Sequence, residues 1–319
     1  MRRPPCLRFV AATSLVAVVL AAVPLPFRGL LADAVQDGIH VAGFAVFGLL
    51  LVRCATTRRV VDEAHRRRRF AIAVGVLLAL AIGTEGLQFF TPRDSDPGDF
   101  ARNLLGIGIG LSLGGWFLTA SPRRRGALTA LAVGGTMLAT VPIASAVDAA
   151  LARAGSLPVI HGFDEAWEMR FVSRRDTDAH RVRLDGRTAL DVTYRSGRWP
   201  SVIFREVPPD WSGFDVLVLD VENREPEAVR VGVRVDDHFD AHEFADRFQR
   251  GFDLRPGRQT LRIPLEEMVA GVTTRDFDLK RMHSVAVFAV SESPRPMRIR
   301  IDAIRLERTD PSTGLESGA

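Results

Sequence analysis

Val229–Arg230–Val231–Gly232–Val233–Arg234–Val235 places valine at every second position and arginine or glycine between. Successive side chains of a strand point to opposite faces, so such a stretch buries one face and wets the other. The same period recurs at Ala189–Leu190–Asp191–Val192–Thr193–Tyr194, Ser201–Val202–Ile203–Phe204 and Phe214–Asp215–Val216–Leu217–Val218–Leu219–Asp220–Val221. It returns at Thr260–Leu261–Arg262–Ile263, Val285–Ala286–Val287–Phe288 and Arg298–Ile299–Arg300–Ile301. Short strands between Gly/Pro/Asp turns predict an all-β antiparallel sandwich over residues 159–308. A stretch of about 150 residues is enough for one self-sufficient core.

Upstream the pattern changes. The 319 residues average a mean hydropathy of only +0.08, yet residues 1–150 hold long apolar runs and 156–310 are charged and alternating. A membrane crossing needs about 20 mostly apolar residues. Five runs qualify, at about 7–27, 34–55, 70–90, 103–120 and 127–147. Arginine sorts the loops between them. Arg53, Arg58, Arg59 and the Arg66–Arg67–Arg68–Arg69 block follow the second run, and Arg123–Arg124–Arg125 follow the fourth. The loop at 91–102 instead sets Asp94, Asp96 and Asp99 against Arg93 and Arg102. Arginine flanks cytoplasmic helix ends, so the amino terminus is expected inside the inner membrane and the sandwich in the periplasm or outside the cell.

The expected chain is multi-domain: an all-α transmembrane bundle of about five helices (1–150), a linker (151–158), the sandwich (159–308) and a disordered tail (309–319). The first run could be a cleaved signal peptide, but Val23–Pro24–Leu25–Pro26 is a poor small-residue cleavage site, which favours an uncleaved anchor. Net charge is +4 and arginine supplies nearly all the basic residues, Lys280 being the one lysine. No basic face with interleaved aromatics is visible, so nucleic acid is not an expected partner. Cys6 and Cys54 offer neither a disulfide framework nor a thiolate metal site, and Cys54 is expected to pack at a helix end.

Ionisable groups in membrane helices are costly and mark function or buried pairing. Asp37 and His40 open the second run, Glu85 and Gln88 close the third, and Asp99 and Asn103 open the fourth, with Arg93 between. The topology carries all of them toward the outer surface. The expected pocket is therefore Asp37, His40, Glu85, Gln88, Arg93, Asp99 and Asn103, with His40, Glu85 and Asp99 as catalytic candidates. The alternative is that these groups cap helices and meet headgroups. Gly106, Gly110 and Gly114 repeat every fourth residue, a small-residue face suited to close helix packing.

The order Asp37–Gly38–Ile39–His40–Val41–Ala42–Gly43–Phe44, Glu85–Gly86–Leu87–Gln88, Arg93, Asp99, Asn103, Gly106 and Gly110 resembles the VanZ-like family of bacterial membrane proteins, named for a protein linked to teicoplanin resistance. The resemblance covers about residues 30–120 and implies a cell-envelope protein, with a link to the glycopeptide response. Family members often follow the aspartate with lysine, where this chain has Gly38.

His161–Gly162–Phe163–Asp164 and Ile301–Asp302–Ala303–Ile304–Arg305–Leu306 resemble the bounding strands of jelly-roll carbohydrate-binding modules, also described as galactose-binding-like. That likeness implies a structural calcium held by Asp164 and Asp302, the alternative being two turn or edge carboxylates. The stretch from Val235 to Phe248 interrupts the strand pattern and is where a ligand would be read. Trp199, Trp211 and Phe239 are the candidate aromatic platform, with Asp236, Asp237, His238, His242, Asp246 and Arg247 as polar partners; Asp236, His238 and His242 could also hold a metal. The alternatives are a solvated hairpin and core tryptophans. Membrane lipids and an envelope glycan or lipid-linked precursor are the expected partners. An enzyme acting on an envelope precursor or lipid headgroup through His40, Glu85 and Asp99 is the competing expectation.

Overall fold

A computed structural model describes residues 29–56, 63–88, 97–184, 186–237, 244–290 and 296–309. The chain divides into two compact units, residues 1–147 and 148–319.

The described part of the first unit is helical: α1 (Leu30–Thr56), α2 (Glu63–Gln88), α3 (Pro97–Leu118) and α4 (Pro122–Ala154), the last running on into the second unit. Glycine sets the approach of α1 and α3. A Cβ at Gly106 would overlap the Val41 carbonyl oxygen, one at Gly110 the Ala45 carbonyl oxygen, and one at Gly114 would lie 2.8 Å from Val52 Cβ. Small residues let two helix backbones come together this closely. Beside this seam, Phe47 of α1, Leu77 and Ala81 of α2 and Ile107 of α3 form an apolar cluster.

The expectation of about five membrane helices is corrected. Among the described residues two helices are long and apolar enough to cross a membrane, Leu30–Cys54 and Pro122–Ala154. The runs at 70–90 and 103–120 do form helices. However, α2 opens with the Arg66–Arg69 block and ends with Glu85 and Gln88, and α3 opens with Asp99, Arg102 and Asn103. The run at 7–27 lies outside the described residues. One further reading changes. Helix α4 continues through Ala154, so the first half of the expected linker is helical.

The second unit is an antiparallel sandwich of two sheets. Its strands are β1 (Val159–His161), β2 (Val172–Arg175), β3 (Thr177–Leu184), β4 (Arg187–Tyr194), β5 (Ser201–Arg205), β6 (Val216–Asn223), β7 (Val229–Asp237), β8 (Phe248–Leu254), β9 (Gly257–Pro264), β10 (Met282–Ala289) and β11 (Met297–Glu307); a short helix α5 (Leu265–Gly271) follows β9. One sheet runs β3–β4–β11–β6–β9 with β1 also on β11; the other runs β2–β5–β10–β7–β8. Alternation fills the space between them. Val231, Val233 and Val235 of β7 stand beside Ala289, Val287 and Val285 of β10, all fully or nearly fully buried. Across from them lie Leu217, Leu219 and Val221 of β6 with Ile299 and Ile301 of β11. Each such side chain contributes about 1.5–3 kcal/mol when taken from water. The register of β11 on β6 shifts between Ile301 and Ala303, which turns Ile304 and Leu306 inward where strict alternation would turn them out.

Candidate functional site

In the helical unit, α1 and α3 bring together most of the expected pocket residues that the structure describes. His40 is 2% exposed, and its Nδ1 lies 3.4 Å from Asn103 Oδ1, itself buried. Asp99, also buried, accepts from Arg102 Nη1 at 2.5 Å. The other guanidinium nitrogen of Arg102 reaches Asp37 Oδ2 at 2.9 Å. Arg102 thus bridges two carboxylates, one from each helix, which offsets much of the cost of burying charge. Sequence reasoning treated Arg102 only as loop charge; its place three residues after Asp99, on the same helix face, was the available signal. Beside the bridge is a cavity of about 520 Å³ lined by Ala34, Asp37, Gly38, Arg102, Leu138 and Pro142 among others. Glu85 and Gln88 fall in the last turn of α2, and Arg93 lies outside the described residues.

In the sandwich, the outward face of the five-stranded sheet carries a different assembly. Inward positions of β7 are valines, so Gly232, Arg234 and Asp236 point out, as do Ser284, Ala286 and Phe288 of the neighbouring β10. Arg234 Nε donates to Asp236 Oδ2 at 3.0 Å, and Ser284 Oγ donates to the same oxygen at 2.8 Å. The Phe288 ring lies over Gly232, in space that any Cβ there would fill. Trp199 meets Phe288 edge-on with centroids 6.0 Å apart, and is 48% exposed. Its φ of +60° holds it in the left-handed region, an unusual backbone for tryptophan. An exposed indole, a part-exposed arginine, and a buried phenyl ring, carboxylate and hydroxyl therefore share one sheet face.

Other expected ligand residues have structural work. Trp211 is fully buried and donates its Nε1–H to Pro208 O at 2.7 Å, so it is a core residue and not a platform. Asp237 takes a two-pronged bond from Arg275 (2.7 and 2.5 Å) and accepts the Asp278 N–H, which fastens the chain after α5. Asp246 accepts from Thr274 Oγ1 at 2.6 Å, and Arg247 is part-buried. His238, Phe239 and His242 lie outside the described residues. Asp302 sits at the β11 register shift, 3.9 Å from Arg258, and Asp164 is exposed. Among the described residues no group of three or more His, Cys, Asp or Glu could hold a metal.

A polar cluster that the sequence did not announce lies at the start of the sandwich unit. Arg153, in the last turn of α4, is buried; it donates to Ile160 O, and to His161 Nε2 at 2.8 Å. Its guanidinium lies 4.3 Å from the Phe171 ring centroid and 5.4 Å from that of Trp167. His161 Nδ1 is 3.5 Å from Glu168 Oε2, and the Glu168 carboxylate also accepts the N–H groups of Gly162, Phe163 and Glu165. Burial, with the Arg153 charge, takes His161 down to about 4 against the pull of Glu168. Burial alone would raise Glu168, but the bonds from His161 and three backbone N–H groups hold it near 2. The cluster is therefore a neutral imidazole between a cation and an anion.

No family model and no curated protein matches the chain. Among solved structures, the sandwich is similar to a family 11 carbohydrate-binding module from Clostridium thermocellum in complex with a β-1,3-1,4-mixed-linked tetrasaccharide, at 12% identity over 48% of this chain and 95% of that one, TM-score 0.40. It is similar to a family 30 carbohydrate-binding module of the same organism (13%, 44% and 91%, TM-score 0.35) and to an exo-β-agarase (16%, 48% and 25%, TM-score 0.39).

Proposed function

We propose that the chain is a VanZ-like protein of the bacterial cell envelope, held in the cytoplasmic membrane by its helices, whose sandwich binds a glycan or lipid-linked sugar on the outward face of the five-stranded sheet. The observation that carries this reading is the half-exposed Trp199 ring, held edge-on against Phe288 on the sheet face that also carries the Arg234–Asp236–Ser284 group. Sugar rings stack their C–H faces on aromatics while their hydroxyls need donors and acceptors at the rim. The membrane placement is supported by the outward apolar side chains of α4, where Leu131, Met137, Leu138 and Val141 are each more than half exposed. The arginine-rich loops favour a cytoplasmic amino terminus and an outward sandwich. The test is binding of residues 148–309 to envelope glycans and soluble oligosaccharides by calorimetry. Trp199→Ala should weaken binding about tenfold or more, the loss of one stacked ring. Binding that is unchanged in Trp199→Ala would move the site off this face.

A second reading, an enzyme modifying an envelope precursor or lipid headgroup, has one observation in its favour: the His40 ring is oriented by Asn103. Asp99, proposed as its partner acid, is already engaged by Arg102.

A further inference from the structure

Among the described residues, two polar atoms of α1 are buried and unpartnered: Gln36 is 7% exposed and His40 2%, and neither the Gln36 Nε2 nor the His40 Nε2 atom has a hydrogen-bond partner there. The two residues are four apart in α1, so they share one face, about one turn from each other. That face runs on to Phe47, which packs on Leu77 and Ala81 of α2 and Ile107 of α3; the polar pair thus lies on the inward side of α1. A buried polar group left unpaired costs about 1–3 kcal/mol, so two on adjacent turns ask for an occupant.

The hydrogen-bonding roles are complementary. Asn103 turns its Oδ1 toward His40 Nδ1, so Nδ1 carries the proton and donates. In the neutral ring His40 Nε2 is then an acceptor, whereas the Gln36 Nε2 amide is a donor only. The group that satisfies both is one oxygen able to give a hydrogen to His40 and take one from Gln36. A carboxylate or a phosphodiester could not donate to His40, and an ammonium could not accept from Gln36.

We propose that Gln36 and His40 form a binding site for a hydroxyl group, the hydroxyl of a glycerol- or sugar-headed lipid. The site rests on the membrane reading of the helices and is separate from the sandwich face. Asn103 is its positioning residue, since it fixes which imidazole nitrogen is free.

The full chain, ¹⁵N-labelled at histidine, would be placed in nanodiscs of pure phosphatidylcholine and in nanodiscs containing phosphatidylglycerol; His40→Gln assigns the resonance. The expected result is a His40 ring protonated at Nδ1, with its Nε2 signal displaced when phosphatidylglycerol is present. Gln36→Met, close in volume, should raise the phosphatidylglycerol fraction needed for half the displacement about fivefold to tenfold, the loss of one hydrogen bond. Soluble glycerol added to phosphatidylcholine discs separates the sources: the same displacement there supports the hydroxyl site and assigns it to free polyols. A ring protonated at Nε2, or a signal indifferent to both phosphatidylglycerol and glycerol, overturns the proposal. A chain that fails to enter nanodiscs refutes the membrane reading instead.

Discussion

Replacing Arg153 with methionine keeps an unbranched apolar stem but removes the guanidinium from the cluster at the start of the sandwich. Ile160 O and His161 Nε2 then lose their donor, and the stacking on Phe171 and Trp167 is lost as well. Two buried acceptors left unpaired cost about 1–3 kcal/mol each. The cation–π contacts add about 0.5–2 kcal/mol. The sum, about 2.5–8 kcal/mol, is a large part of the 5–15 kcal/mol that a domain has in total. Urea unfolding of residues 148–309, followed by tryptophan fluorescence, should show the midpoint fall steeply, with Trp167 reporting from the site itself. Arg195→Met removes an exposed pair with Asp178, their side chains 64% and 52% exposed, and should leave the midpoint unchanged. A loss under about 1 kcal/mol for Arg153→Met would mean that water replaces the guanidinium, and would refute the assignment of Arg153 as a buried clamp.

The same cluster makes the sandwich acid-sensitive in two stages. His161 is depressed to about 4, so the unfolded chain binds its proton first, and stability should fall from about pH 6.5 down to 4 by at most about 1.4 kcal/mol per pH unit. Glu168, held near 2, adds a second loss as pH falls from about 4.5 to 2; in urea midpoints measured against pH, His161→Gln should abolish the upper stage and narrow the lower one, which the three backbone N–H groups still sustain. In the helical unit, Gly110→Val puts a branched side chain into the Ala45 carbonyl. Separation of α1 and α3 should follow, read as a lower thermal midpoint in detergent by several degrees, whereas Gly108→Ala, where the structure has open space, should be neutral.

The sandwich was legible wherever a strand had neighbours on both sides. Strands β4, β6, β7, β10 and β11 are interior to their sheets, and each shows its period in sequence because one face must be apolar. Of the edge strands, β9 still shows its period because Leu261 and Ile263 face the core, whereas β3 and β8 are exposed along much of their length, and Thr177–Leu184 and Phe248–Leu254 carry too little alternation to announce themselves. The helices were legible as apolar runs, but their number as membrane spans was not, because runs ending in charged or glycine-rich turns read as longer spans than they are. His40, Asp37, Asp99 and Asn103 were legible as costly residues in apolar context. Arg102 and Gln36 were not, since one looked like loop charge and the other like an ordinary polar helix residue. Trp199 and Trp211 show a limit of residue type: the same side chain is a half-exposed ring in one loop and a core filler in the next, and only their surroundings separate them.

The register shift in β11 has a consequence for how this gene can change. Up to Ile301 the strand pairs with β4 on one side, and from Ile304 it pairs with β1, while β6 runs along its other side throughout. The extra residue at Asp302–Ala303 is what lets both halves point their isoleucines and leucine inward. Loss of a single codon there would turn Ile304 and Leu306 to solvent and bring Arg305 and Glu307 into the core, while a substitution of Asp302 itself would change little. Length in this strand is therefore under tighter inheritance than identity, so related chains should vary the residue at 302 freely and almost never delete it.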